Sequence, residues 1–381
     1  MREPRRHTDV PGRPGGRSAL DAELRDSLFG SLPRSGQRAN AHRYVLGLLS
    51  VQGRKTLRSI AAQFDGAAPR QNVHHFISTS PWDWVPVRHA LARYTCRKLE
   101  PDAWAILPLL IPKAGDHSVG VDEQPAPAGQ AFRGQRAVGA WLASGRSAVP
   151  VHWQLRLSDR WMADPLRQRA NIPREAAAGT TEECVRLVVT ELLGSSGTPR
   201  GPVVVDMDDV DAVSVARFLS LAGVPFLVRA GSDVRLRLDR FKLPRYGGWE
   251  RTVRELTDSL PRLRQRVDPG DGPALASAIP VAVSPARSDR MLLLGEWDPA
   301  GHQCHRVWLT NVTTVAALRL ARLPGVVARD FAAVAEDVGV RDFAGRSFPG
   351  WHRHITLASV AHLVAILETR GTAAERNDGV T

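Results

Sequence analysis

Residues 202–230 read PVVVDMDDVDAVSVARFLSLAGVPFLVRA, and no other stretch restricts the fold as strongly. Two short apolar runs, PVVV and VPFLV, are too brief for helices and are bounded by turn residues, as buried strands are. Between them VSVARFLSLAG carries apolar residues at helical spacing. A strand–helix–strand passage of this kind marks an α/β core. Its first strand runs straight into acids, Asp206, Asp208 and Asp209.

Upstream, residues 21–100 read as a series of short helices. Leu24, Leu28 and Leu32 recur every fourth residue, HRYVLGLLS begins a second helix after Pro33, and KTLRSIAAQF turns Leu57, Ile60, Ala61 and Phe64 inward and Arg58 outward. VHHFISTS leads into SPWDW, where Ser80 is placed to cap a helix opening at Pro81. VRHALARYTCRKL follows as a basic amphipathic helix. Short helices with exposed Arg, Lys and His suit a duplex-binding module, the alternative being the solvated basic face of an ordinary bundle.

WAILPLLI (104–111) is continuously apolar, as a strand buried on both faces is. HSVGV (117–121), FRGQRAVGAWLA and AVPVHWQLRL continue as an antiparallel meander, and TEECVRLVVTELLG is a helix. Residues 231–288 alternate charge and apolarity before turning rich in Pro and Gly, as an inserted, partly β region. MLLLGEW and CHRVWLTN are further strands, 313–338 is helical territory, and 355–369 is the last helix. Residues 1–20, rich in Arg, Pro and Gly, read as disordered.

The chain of 381 residues carries 51 Lys and Arg against 39 Asp and Glu, a net charge of +12. That balance favours a polyanionic partner, nucleic acid before an acidic membrane surface, since no amphipathic anchor is visible. No apolar run reaches the roughly 20 residues of a membrane span, and the Arg-rich start lacks the apolar segment of a signal peptide. Cys96, Cys184 and Cys304 lie far apart and fit a reducing compartment. A cytoplasmic, nucleoid-associated location is the expectation. P-loop, dinucleotide-binding, nucleophile-elbow and zincin patterns are absent from the sequence.

The stretch Asp342–Leu357, DFAGRSFPGWHRHITL, gathers Arg346, His352, Arg353 and His354 with Phe348 and Trp351 around Gly345 and Gly350. Together with PWDW, IPKAG (111–115), DHSVGV (116–121), PVVVD, AGVPFLV and VWLTN, it resembles the DDE-type transposases of bacterial insertion sequences from about Leu28 to Ala365. The resemblance implies an α/β fold: an RNase H-like mixed-sheet core with an inserted segment, preceded by an N-terminal helical domain. The corresponding boundaries are a basic arm at 1–20, a helical DNA-binding domain at 21–100 and the first part of the core at 101–230. The insertion at 231–288, the second part of the core at 289–370 and a disordered tail at 371–381 complete them.

In that family three acids hold two metal ions for polynucleotidyl transfer, and Mg²⁺ demands hard oxygen ligands. The resemblance puts Leu107, with Pro108 beside it, at the first acid, Asp206 at the second, and Ala328 in GVVARDF at the third. Leu107 and Ala328 carry no side-chain donor, so Asp206 is the retained acid. What this implies is a DNA-binding protein derived from a transposase, without catalysis and possessing no cofactor or metal. Its partner is double-stranded DNA; self-association into a homo-oligomer is left open. Two alternatives stand beside it: an active, Mg²⁺-dependent transposase using a displaced set such as Asp116, Asp206 and Glu336, and a protein-interaction scaffold. The DNA-contact candidates are Arg346, His352, Arg353 and His354 in the tail, with Lys55 and Arg58 among the first helices. For the tail, capping and packing beneath the sheet is the equal alternative. His302 and His305, flanking Cys304, read as incidental.

Overall fold

A computed structural model describes residues 22–63, 69–124, 131–195, 197–246, 249–259, 261–270, 272–282 and 291–378. The expected arm at 1–20 lies outside the described residues. In chain order, β1 (Ala103–Pro112), β2 (Val121–Gln124), β3 (Phe132–Ala143) and β4 (Ala148–Leu155) form the meander. β3 pairs antiparallel with β1 along one edge and with β2 and β4 along the other. β5 (Val203–Val205) and β6 (Phe226–Arg229) then add in parallel beside β1, and the helix Ala212–Leu221 makes the crossover. The order β4–β3–β1–β5–β6, with β1, β5 and β6 parallel, is an RNase H-like sheet. Pro108 sits in this central strand because it falls just past the last β5 pairing, Ile106 with Val205, where no ladder donor is needed.

The chain next builds β7 (Arg235–Leu238), β8 (Glu250–Thr252), β9 (Arg264–Val267), β10 (Ala274–Ala282), β11 (Met291–Trp297) and β12 (Cys304–Thr310). β12 returns to pair antiparallel with β6. Beyond β12 the same sheet continues through β11, β10 and β7 to β8, its outer strand among the described residues, with β9 on β10.

Among the described residues five helices precede β1: Ala22–Phe29, Ser35–Ser50, Leu57–Ala61, Pro69–Ser78 and Val85–Leu99. The last opens at Val85 with Trp84 as its N-cap, not at Pro81. Ser80 is buried and its hydroxyl accepts from Gln37 Nε2 at 3.3 Å, so it is not free to cap. HSVGV is likewise a turn up to Gly120, whose φ of +75° suits glycine, and the strand starts at Val121.

The largest departure from expectation is the final helix, Phe348–Asp378. It begins seven residues before Ile355 and takes the whole GWHRH segment into its first turns. It also continues past 370 through good helix formers such as Ala373 and Ala374, so the tail expected to be disordered is helical as far as Asp378. This helix packs against β4 on one side and against the helices Ser35–Ser50, Pro69–Ser78 and Val85–Leu99. The N-terminal helices and the sheet thereby share one hydrophobic core. Among the described residues no helix is long and apolar enough to cross a membrane.

Candidate functional site

The register places a row of side chains on one face of the sheet. Ile106 pairs with Val205 and Val205 with Val228, so the next residues, Leu107, Asp206 and Arg229, follow one another across three parallel strands. The Asp206 N–H donates to the Ile106 carbonyl at 3.1 Å and fixes that position. Leu107 packs against the core. Asp206 Oδ1 accepts from Arg229 Nη1 at 2.9 Å, and Arg229 Nε donates to Asp208 Oδ1 at 2.9 Å. Partial burial works against the Arg229 charge, but the hydrogen bond and charge of Asp206, helped by Asp208, outweigh it and hold the guanidinium pKa above its ordinary value.

The rest of the acidic turn is also engaged. Asp209 accepts from Arg136 and from Thr181 Oγ1, and Asp211 caps the helix Ala212–Leu221 through Val213 N and Ser214 N. The row continues to Trp308, which pairs with Arg229. The Trp308 indole N–H donates to Glu296 on β11. Burial pushes the Glu296 carboxyl up, the indole hydrogen bond opposes this, and the charge of Asp206 adds to the rise.

Ala328 lies exposed on the helix Leu323–Asp330, which packs against β1, β3 and β4. The acid two residues on, Asp330, is buried and committed to structure: its Oδ2 accepts from Ala148 N at 2.7 Å. Glu336 is paired with Arg341 and Asp116 with Arg160, each away from Asp206 and with its own partner. Among the described residues no three His, Cys, Asp or Glu side chains come together as a set able to hold a metal ion. A two-metal centre needs converging hard oxygens. The side chains of Leu107 and Ala328 offer none, and the carboxylate at Asp206 already faces a guanidinium, so these side chains do not fit a metal pair.

The GWHRH segment turns inward, and His352, Arg353 and His354 are corrected from DNA-contact candidates to interior residues. His352 is stacked on Trp84, with ring centroids 4.8 Å apart, and Arg88 Nη2 donates to its Nδ1 at 3.0 Å. Burial, with Arg88 nearby, drives its pKa well below the ordinary value, so the ring is neutral. His354 accepts from the Tyr44 hydroxyl at Nδ1 and donates from Nε2 to the Gly339 carbonyl; burial lowers its pKa to about 4. Arg353 donates to the carbonyls of Ile77 and Trp82 and lies over the Trp82 ring. Burial brings it down to about 10. A phosphate has no access to groups so occupied. Lys55 is corrected for the same reason: it is buried and its ammonium donates to the Val51 carbonyl.

Arg346 and Arg58 remain exposed. Arg346 lines a cavity of about 560 Å³ at the seam between the first helices and the tail, with Arg54, His74 and Arg169 around the same opening. Asp342, the carboxylate of this lining, already accepts from Lys55 N at 2.7 Å. Arg58 lies outside that lining.

Fold and site together define an RNase H-like protein whose strand β5 runs into Asp206, an acid bridged by Arg229. The family described as DDE superfamily endonuclease matches residues 27–261, more than half of the chain, and the protein belongs to that family. Membership carries with it an interaction with DNA. No curated protein matches the chain. Sequence reasoning missed Arg229 and Glu296. The signal for Arg229 was present in PFLVRA: a basic residue at the end of the strand parallel to the one ending at Asp206. Glu296 had none, because only the return of β12 onto β6 brings β11 near.

Proposed function

We propose that this protein binds double-stranded DNA without cutting it, as a transposase-derived binder that acts by occupying its site, in the manner of a regulator. The observation that carries the non-cutting part is the Arg229 bridge from Asp206 to Asp208. A fixed guanidinium supplies the positive charge that would otherwise come from a metal ion, and it cannot activate water or stabilise a leaving oxygen as a Lewis acid. The binding part is supported by the +12 charge and by the seam opening, where Arg54, His74, Arg169 and Arg346 have no side-chain hydrogen bond or ion pair among the described residues.

The test combines two readouts on the purified protein. Anisotropy titrations on genomic fragments and on random duplex should show binding that weakens steeply as salt rises from about 50 mM. Gels of the same mixtures with Mg²⁺ or Mn²⁺ should show no nicked, linear or joined products. Absence of binding at low salt defeats the DNA reading. Metal-dependent products that disappear in Asp206→Ala overturn the inactive reading and restore the displaced-acid alternative.

A further inference from the structure

The far edge of the sheet carries a second, separate surface. β7 and β8 pair as a hairpin, Arg235 with Thr252 and Arg237 with Glu250, and β8 is the outermost strand. The connection between them is held from below. Asp239 is buried, its Oδ1 accepts from Phe241 N at 2.8 Å, and its own N–H donates to the Pro280 carbonyl on β10. On this anchored connection three large aromatic residues face outward: Phe241 is 66% exposed, Trp249 49% and Tyr246 40%. Leaving so much apolar ring area in water within one short stretch marks a contact surface.

The rings are arranged and rimmed by cations. Tyr246 and Trp249 meet edge to face, 5.5 Å between centroids. Arg240 lies over Phe241 at 4.9 Å and Arg251 over Trp249 at 5.3 Å. Glu250, the exposed acid of the hairpin, is already bridged by Arg235 and Arg237. Arg240, Lys242, Arg245 and Arg251 are left without a carboxylate partner among the described residues. A protein partner with an apolar face would not call for four cations outside any ion pair; a polyanion would. A closed duplex hides the faces of its bases, whereas an unpaired strand offers a stackable ring and a phosphate at every step.

We infer that the β7–β8 hairpin is a stacking platform for unpaired nucleotides, with Phe241, Tyr246 and Trp249 taking bases and Arg240, Lys242, Arg245 and Arg251 taking phosphates. This surface shares no residue with the seam opening, so it goes beyond the duplex reading and is tested apart from it. The experiment measures anisotropy of the full chain with labelled oligothymidylate of about 15 nucleotides, with an abasic strand of equal length, and with duplex. Wild type should bind oligothymidylate at least about tenfold more tightly than the abasic strand, and the triple variant Phe241→Ala, Tyr246→Ala, Trp249→Ala should lose at least about tenfold on oligothymidylate alone. A ring-conserving variant, Phe241→Tyr with Trp249→Phe, should stay near wild type, which separates stacking from misfolding. Equal affinity for thymidylate and abasic strands, an unchanged triple variant, or no single-strand binding by wild type overturns the inference. Loss of duplex binding with thymidylate binding intact counts against the seam, and supports the hairpin as an independent site.

Discussion

Two segments of this protein share a composition and meet opposite fates. Phe348–His354 and Arg240–Arg251 each interleave aromatic rings with basic side chains. In the first, Trp351, His352, Arg353 and His354 are buried; in the second, Phe241, Tyr246 and Trp249 stand in water with Arg240 and Arg251 over their rings. The difference lies in the acceptors each segment meets. Arg353 reaches Ile77 O, at the end of the helix Pro69–Ser78 where carbonyls lack helical partners, and Trp82 O just beyond it. Arg88, pushed down to about 9 by burial, finds Trp153 O, Thr356 Oγ1 and His352 Nδ1. The hairpin sits at an outer strand, and among the described residues no backbone acceptor meets the side chains of Arg240, Lys242 or Arg245. A basic aromatic stretch is therefore ambiguous until its hydrogen-bond acceptors are known.

The sharpest way to break this comparison is to truncate one arginine from each segment. Arg353→Ala strips a hydrogen-bond donor from two buried carbonyls and a cation from the Trp82 face, and should cost about 3 kcal/mol in a urea melt. Arg245→Ala, on the exposed hairpin, should change stability by less than about 0.5 kcal/mol. Similar costs for the two would mean that the buried contacts contribute little.

Acidification should separate the segments next. His354 and His362 are held neutral, both near pKa 4 through burial, against 6.5 when exposed. The unfolded chain binds more protons between these values, so their contribution is complete above pH 6.5 and is lost as pH falls toward 4. At pH 5 the loss is about 2 kcal/mol for each histidine. Urea melts at pH 7 and pH 5 would measure it, and His362→Asn should flatten the dependence. The stretch 235–252 contains no histidine, so its binding of oligothymidylate should stay level over the same window. A pH-independent fold, or a pH-dependent hairpin, would contradict the division.

The smallest expected effect is at the seam. Arg346→Ala should leave stability within about 0.5 kcal/mol and lower the salt slope of duplex binding by about 1, as for the loss of one phosphate contact. His352→Gln should act the other way round, through stability with little change in salt slope. If the salt slope follows His352 and not Arg346, the buried and exposed assignments are reversed.

Much of the framework was legible because strand and helix patterns are local. PVVVD, PFLV, MLLLG and RVWLT appear as strands where their apolar runs lie, and the neighbouring positions of Leu107 and Asp206 follow from a β-α-β passage beside β1. The helix start at Phe348 was not legible. Gly350 and Pro349 resemble loop residues, yet proline is tolerated in a first helical turn, and Ser347 Oγ accepts the Gly350 N–H there. Burial of His352 and Arg353 was equally hidden, since nothing within the segment supplies their partners.

By itself the sequence determined which atoms exist at each position: a leucine and an alanine have no side-chain oxygen to offer a metal wherever the chain takes them, and valine-rich runs flanking a helix commit to a parallel pair. The tertiary structure alone decided which charges stay free. Arg229 meets Asp206 because two strands lie side by side. Arg88 and Arg353 are enclosed because groups 264 to 276 residues away in the chain arrive with the matching acceptors. A charge leaves water when such partners converge on it and remains outside when they do not, and that convergence is a property of the packed whole.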